Sequence, residues 1–233
     1  MRVGLFDSGV GGLTVLKAFL KYHPNNEYFY YGDTLNMPYG DKTIDELYSY
    51  VQVILNYMRE KKVDIIVIAC GTVSANLYDV LKKEVEVPIY SVISELPKYI
   101  EDKGYKNTLV LATKATINSH IFKNKLKNNV TEVACPKLVP IIEQNRIEDL
   151  DSALDEYITN TNNIDSLILG CTHYGLIKEN IKRKIGDNVD IIDLGEILAS
   201  NIELKDSIKS IDLHFSKMTN ALEENVNKIM NIM

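Results

Sequence analysis

Two hydrophobic rhythms alternate along the chain. Compact apolar runs occur at Val3-Gly4-Leu5-Phe6, Tyr28-Phe29-Tyr30-Tyr31, Ile65-Ile66-Val67-Ile68, Thr108-Leu109-Val110-Leu111-Ala112, Ser166-Leu167-Ile168-Leu169 and Val189-Asp190-Ile191-Ile192. Runs this short and this rich in Ile, Val and Tyr read as strands buried on both faces, as in a parallel sheet. Between them, apolar residues recur three and four apart, the spacing of a helix with one buried stripe. That pattern predicts helices over 13–22, 43–61, 73–84, 95–102, from 114 onward, over 150–160 and over 176–184. Thr43 and Glu46 have capping-box spacing at the start of the second helix. Shorter strands are expected at 88–92 and 130–134, and 135–143 reads as an irregular piece ending in a helical turn. Strand followed by helix, repeated, predicts an α/β fold with mostly parallel sheets.

One pattern occurs twice. Ile65-Ile66-Val67-Ile68-Ala69-Cys70-Gly71-Thr72 and Ser166-Leu167-Ile168-Leu169-Gly170-Cys171-Thr172-His173 each run from an aliphatic strand through a small residue to cysteine. Each cysteine sits where a strand hands over to a helix, the end of an open α/β sheet where ligands bind. The chain therefore reads as two similar halves with one cysteine at the equivalent place in each. Near the end the rhythm changes. Ile211-Asp212-Leu213-His214-Phe215 alternates, as an edge strand wet on one face does, and 218–233 reads as a closing amphipathic helix. Following two complete halves, this tail is expected to return to the first, giving domains 1-93 plus 204-233 and 94-203.

Composition narrows the class. With 233 residues, 45% hydrophobic and 25% charged, the chain has room for two small α/β domains around a shared site. No apolar run approaches the ~20 residues of a membrane span. Met1-Arg2-Val3-Gly4-Leu5-Phe6 enters a strand directly, so no secretory signal is expected and a cytoplasmic location is the default. A net charge of −6 with no basic run argues against nucleic acid as a partner. Three cysteines, without Cys-x-x-Cys, read as reduced thiols, and four scattered histidines give no metal site.

The first strand runs into Asp7-Ser8-Gly9-Val10-Gly11-Gly12. This is neither a Walker loop, which ends in Gly-Lys-Ser/Thr, nor a clean dinucleotide fingerprint. Its backbone N–H groups at a helix start are expected to attract an anion such as a carboxylate. Buried cysteine is most often packing, and Cys135, beside Pro136 in an irregular segment, is read that way. For Cys70 and Cys171, helix starts lower thiol pKa, so spacing alone leaves packing and catalysis both open. Asp7 after a strand and His173 two residues past Cys171 are candidate proton partners.

At these residues the chain resembles the glutamate racemases of the cofactor-independent aspartate/glutamate racemase superfamily. The matching stretches are Phe6-Asp7-Ser8-Gly9-Val10-Gly11-Gly12-Leu13-Thr14-Val15-Leu16, Tyr31-Gly32-Asp33-Thr34 and Pro38-Tyr39-Gly40. They continue through Ala69-Cys70 with Thr72, Thr113, Ala115-Thr116, Ala134-Cys135-Pro136, Pro140, Glu143 and Leu169-Gly170-Cys171-Thr172-His173-Tyr174. The order and spacing cover most of the chain; beyond Leu194 the match is loose. The resemblance implies two α/β domains related by a pseudo-twofold axis, with the active site in the cleft between them. It implies Cys70 and Cys171 as acid and base on opposite faces of the substrate α-carbon, assisted by Asp7 and His173. It also implies substrate contacts from Asp7, Ser8, Tyr39, Gly40, Gly71, Thr72, Thr113, Thr116, Glu143, Thr172 and His173, no cofactor, glutamate as the small-molecule partner, and a homodimer.

Two positions depart from the pattern. Gly71 stands where the family usually has Asn, and Gly175 where it usually has Pro. Losing the Asn side chain predicts a weaker substrate contact, with water or Asn76 as stand-in, and a Gly71→Asn variant with a lower KM. The chemistry fits the residue set, because an amino acid α-proton is very weakly acidic and no lysine motif for pyridoxal phosphate is evident. Close positioning and fixed donors must then carry the carbanion. The expectation is racemization of glutamate, supplying D-glutamate for bacterial peptidoglycan. Another amino acid such as aspartate, a related lyase, isomerase or decarboxylase, and a non-catalytic amino-acid-binding regulator are the alternatives.

Overall fold

The computed structural model describes residues 1–159, 161 and 163–231. It has two all-parallel sheets. The first joins β1 (Arg2–Asp7), β2 (Glu27–Gly32), β3 (Ile65–Ile68), β4 (Ile89–Ser91) and, from the far end of the chain, Ser210–Phe215. The second joins β5 (Asn107–Ala112), β6 (Asn129–Ala134), β7 (Ser166–Leu169) and β8 (Asp190–Asp193). With Ser210–Phe215 as β9, the orders are β4-β3-β1-β2-β9 and β6-β5-β7-β8. β9 lies parallel to β2, Tyr30 opposite Leu213 and Gly32 opposite Phe215, at the sheet edge that its alternation predicted.

Each sheet is covered on both faces, which explains why its strands read as unbroken apolar runs. On the outer face of the first sheet, Phe6, Ile66 and Ile68 pack against Leu47, Val51, Ile54 and Met58 of helix Ile44–Glu60. That helix opens with the expected box: Thr43 N and Oγ1 donate to Glu46 Oε2, and Glu46 N donates to Thr43 Oγ1. The outer face of the second sheet packs on helices Leu138–Glu143, Leu150–Tyr157 and Lys178–Ile185. The inner faces of both sheets share one core, built on helices Leu13–Tyr22, Leu96–Lys103, Leu194–Asn201 and Asn220–Asn231. The lobes are therefore joined by a common apolar middle layer.

Three local readings change. The helix expected over 73–84 is two helices, Gly71–Asn76 and Tyr78–Glu84, broken at Leu77. The helix expected over 176–184 is a 3-10 segment, Thr172–Ile177, continuing into Lys178–Ile185. Helix Leu194–Asn201, unread in the sequence, follows β8 with no intervening loop, capped by Asp193, whose side chain accepts from Gly195 N and Glu196 N. Asn160 and the last two residues, at the ends of the helices expected over 150–160 and 218–233, lie outside the described residues. Among the described residues no helix is long and apolar enough to cross a membrane, and no group of side chains could hold a metal ion.

Candidate active site

Parallel strands bring their carboxyl ends to one edge, and the two edges face each other across a narrow cleft. Asp7 ends β1, Cys70 follows β3, Thr113 follows β5, Cys135 follows β6 and Cys171 follows β7; all line this cleft. So do Ser8, Tyr39, Gly40, Gly71, Thr72, Thr172 and His173.

Asp7 is fully buried and its Oδ2 accepts from Gly12 N at 2.7 Å. Leu13 N and Thr14 N donate to Val10 O and Gly11 O. Within the turn the N–H groups of Gly12, Leu13 and Thr14 are thus used on its own residues. What the turn does is hold Asp7 and approach the other lobe. A Cβ on Gly11 would lie 2.6 Å from both His173 Nδ1 and Thr172 Oγ1, so only glycine fits. Thr172 Oγ1 reaches back to Asp7 Oδ2 at 3.4 Å.

The two thiols have different surroundings. Burial pushes the Cys70 thiol well above its ordinary pKa, and the Asp7 carboxylate adds to this, outweighing the backbone N–H groups of Val73 and Thr72. The helix start alone would act in the opposite direction. Cys171 Sγ lies 3.7 Å from His173 Nδ1, and His173 Nε2 lies 2.5 Å from Glu143 Oε1. Burial lowers the His173 pKa, but its hydrogen bonds to Cys171 and Glu143 more than offset this and hold it well above the ordinary value. The imidazole of His173 therefore sits between a sulfur and a carboxylate, a setting that favours its protonated form. Cys135, read as packing, lines the same cleft; its Sγ donates to Val133 O and burial pushes its thiol up to about 12.

Three hydroxyls cross between the lobes: Thr72 Oγ1 is 3.0 Å from Thr113 Oγ1, which is 2.9 Å from Thr116 Oγ1. Thr116 is fully buried behind Thr113, and Glu143 stands behind His173; neither lines the cleft. Tyr39 does, but its hydroxyl donates to Asp33 Oδ2 at 2.5 Å. Asp41 and Lys114 also line the cleft without a counterpart among the sequence candidates, as do Pro38, Pro136, Val139 and Pro140; an acid or a lysine in a loop carries no signal of its own.

A family model for Asp/Glu/hydantoin racemases matches residues 18–202. The glutamate racemase of Aquifex pyrophilus is 37% identical, over 96% of this chain and 91% of that protein. The chain belongs to the Asp/Glu/hydantoin racemase family. Among solved structures, a glutamate racemase isoform of Bacillus anthracis superposes with a TM-score of 0.90 at 27% identity, covering 99% of this chain and 94% of that one. The glutamate racemase of Francisella tularensis, solved with D-glutamate, gives 0.85 at 26% identity, covering 99% and 93%. The matched stretch of the racemase family model begins after Asp7 and Ser8, so likeness in that turn rests on pairwise matches that span the whole of this chain.

The departure at Gly71 has a spatial cause. A Cβ there would stand closer than 3.0 Å to the Gly170 carbonyl oxygen, one residue before Cys171. Asn76, a suggested stand-in for the missing amide, donates instead to Thr72 O at 2.9 Å and Ala115 O at 3.4 Å. A Cβ on Gly175 would lie 3.3 Å from the Thr14 side chain, a tight contact that a small shift of a side-chain methyl relieves in this racemase fold.

Proposed function

We propose that this racemase interconverts L- and D-glutamate by a two-thiol route that needs no cofactor. The observation that carries the reading is the unlike pair of thiols, Cys70 and Cys171, one from each lobe in one cleft. Cys70 is kept as a thiol by burial and by Asp7. Cys171 has the imidazole of His173 at hand, placed to accompany a thiolate in its protonated form. In one direction the Cys171 thiolate takes the α-proton, and the Cys70 thiol gives its own proton to the opposite face. Product leaves with the two protonation states exchanged, and His173 and Asp7 are placed to return protons to the resting arrangement. The hydroxyls of Thr72 and Thr113 and the N–H groups at the start of helix Gly71–Asn76 supply donors for the carboxylate as negative charge develops. General acid and base catalysis of this kind contributes roughly 10²–10⁴-fold per group.

The relatives named above support glutamate as substrate, and supply of D-glutamate to peptidoglycan in the cytoplasm follows from that reading. The test is incubation of the purified protein with L-glutamate, L-aspartate and other L-amino acids in D2O, without added cofactor. Loss of optical rotation together with deuterium at the α-carbon is expected for glutamate. Exchange with aspartate alone would move the substrate to the alternative reading, and no exchange with any amino acid would favour a binding protein.

A further inference from the structure

Asp33 is a buried carboxylate that takes no part in the proposed chemistry, and it is heavily engaged. Its Oδ2 accepts from Tyr39 Oη at 2.5 Å and from Asn36 Nδ2 at 2.8 Å, and its Oδ1 accepts from Ser216 Oγ at 2.7 Å. Its own N–H donates to Asp7 O at 2.9 Å. Asp33 thus ties the backbone of Asp7 to the loop that carries Tyr39 and Gly40 into the cleft.

The fourth party comes from the end of the chain. Ser216, just past β9, accepts from Leu35 N at 2.9 Å while donating to Asp33. Thr34 and Lys217 bond reciprocally: Thr34 Oγ1 donates to Lys217 O, and Lys217 N donates to Thr34 Oγ1 at 3.1 Å. Ser216 N also donates to Gly32 O at 3.0 Å. The same loop then touches the second lobe, where a Cβ on Gly40 would lie 3.0 Å from Thr113 Cβ.

The geometry points to Asp33 and Ser216 as positioning residues for substrate binding: the carboxyl-terminal strand fastens the 33–41 loop through them and so sets the Tyr39–Gly40 wall of the cleft. This rests on the racemase reading for its kinetic test. Neither residue touches the reacting atoms, so loosening the loop weakens binding of both enantiomers alike and leaves the proton transfers in place.

The experiment compares Ser216→Ala and Ser216→Thr with the parent. Ser216→Ala is expected to raise KM for L- and for D-glutamate by the same factor, roughly three- to tenfold, with kcat within twofold; Ser216→Thr keeps the hydroxyl and restores KM. In a Tyr39→Phe background, which already lacks the phenol donor, Ser216→Ala adds less than it does alone. Hydrogen exchange of the 36–41 amides in the free protein should speed up in Ser216→Ala, a readout independent of which amino acid is the substrate. Should Ser216→Ala not fold, Thr34→Val loosens the same fastening and is read in the same way. Unchanged KM and unchanged exchange in a folded variant, or a fall in kcat alone, would overturn the assignment.

Discussion

Gly71 and Gly170 meet across the cleft so closely that a Cβ on Gly71 would stand within 3.0 Å of the Gly170 carbonyl oxygen. The obstacle is backbone, which a rotamer change cannot clear, and Gly71 is not among the positive-φ residues, so its own conformation would accept a side chain. Sequence alone suggested that Gly71→Asn restores a substrate contact and lowers KM. The contact reverses that expectation. Overpacking of this kind costs about 1–3 kcal/mol, and relief requires the Cys70 and Cys171 segments to separate. Gly71→Asn and Gly71→Ala are both expected to lower the melting temperature and kcat/KM, which thermal unfolding and steady-state kinetics measure. A lower KM in a stable Gly71→Asn protein would mean that the segments part freely.

Removing either thiol removes one half of the proton exchange. Cys70→Ala and Cys171→Ala are expected to reduce racemization by at least about 10²-fold with the fold retained. Cys135→Ala should keep most activity although Cys135 lines the cleft, because its Sγ donates to Val133 O and has neither an acid nor an imidazole partner among the described residues. Racemization rates and circular dichroism of the three proteins decide this. A folded but inactive Cys135→Ala beside an active Cys70→Ala would exchange their roles.

The fold was largely legible because buried parallel strands write themselves as unbroken apolar runs, and β1, β3 and β7 appear where those runs lie. Helix Leu194–Asn201 escaped since β8 passes into it without loop residues, although Asp193 with Glu196 three residues on was a usable cap signal. In the site, Cys70 and Cys171 were legible as equivalent positions. What their neighbours do was not, because it depends on contacts between distant segments. Glu143, expected at the substrate, bonds His173, and Tyr39, expected as a substrate contact, lines the cleft while its hydroxyl bonds Asp33.

His173 gives the protein a pH-dependent stability. Its pKa in the folded protein is raised, so the folded state binds more protons than the unfolded one once pH exceeds the ordinary value of about 6.5. The stabilisation is complete below that value and is lost as pH rises through the folded pKa. Cys70, also raised, adds a second loss only above the ordinary thiol value, 9.0. Between these limits the melting temperature of the parent should fall with pH, and Glu143→Gln should flatten the fall by removing a carboxylate that holds the imidazolium. Melting curves across that interval test it; parallel slopes for parent and variant would remove the Glu143–His173 pair as the cause.

Asp7 and His173 serve different thiols, and kinetics can separate them. Asp7 lies by Cys70 and raises its pKa, while His173 lies 3.7 Å from Cys171. Asp7→Asn should therefore impair the steps in which Cys70 exchanges its proton, and His173→Asn those in which Cys171 does. The two enantiomers are equal in free energy, so kcat/KM must stay the same from either side in every variant. The asymmetry can appear only in kcat and KM separately, with kcat reduced more from L-glutamate in one variant and more from D-glutamate in the other. Full progress curves from both enantiomers give all four constants. Opposite asymmetry in the two variants is the expected outcome. Equal losses in both directions would place Asp7 and His173 in a role shared by both half-reactions, and parent-like constants would remove them from the mechanism.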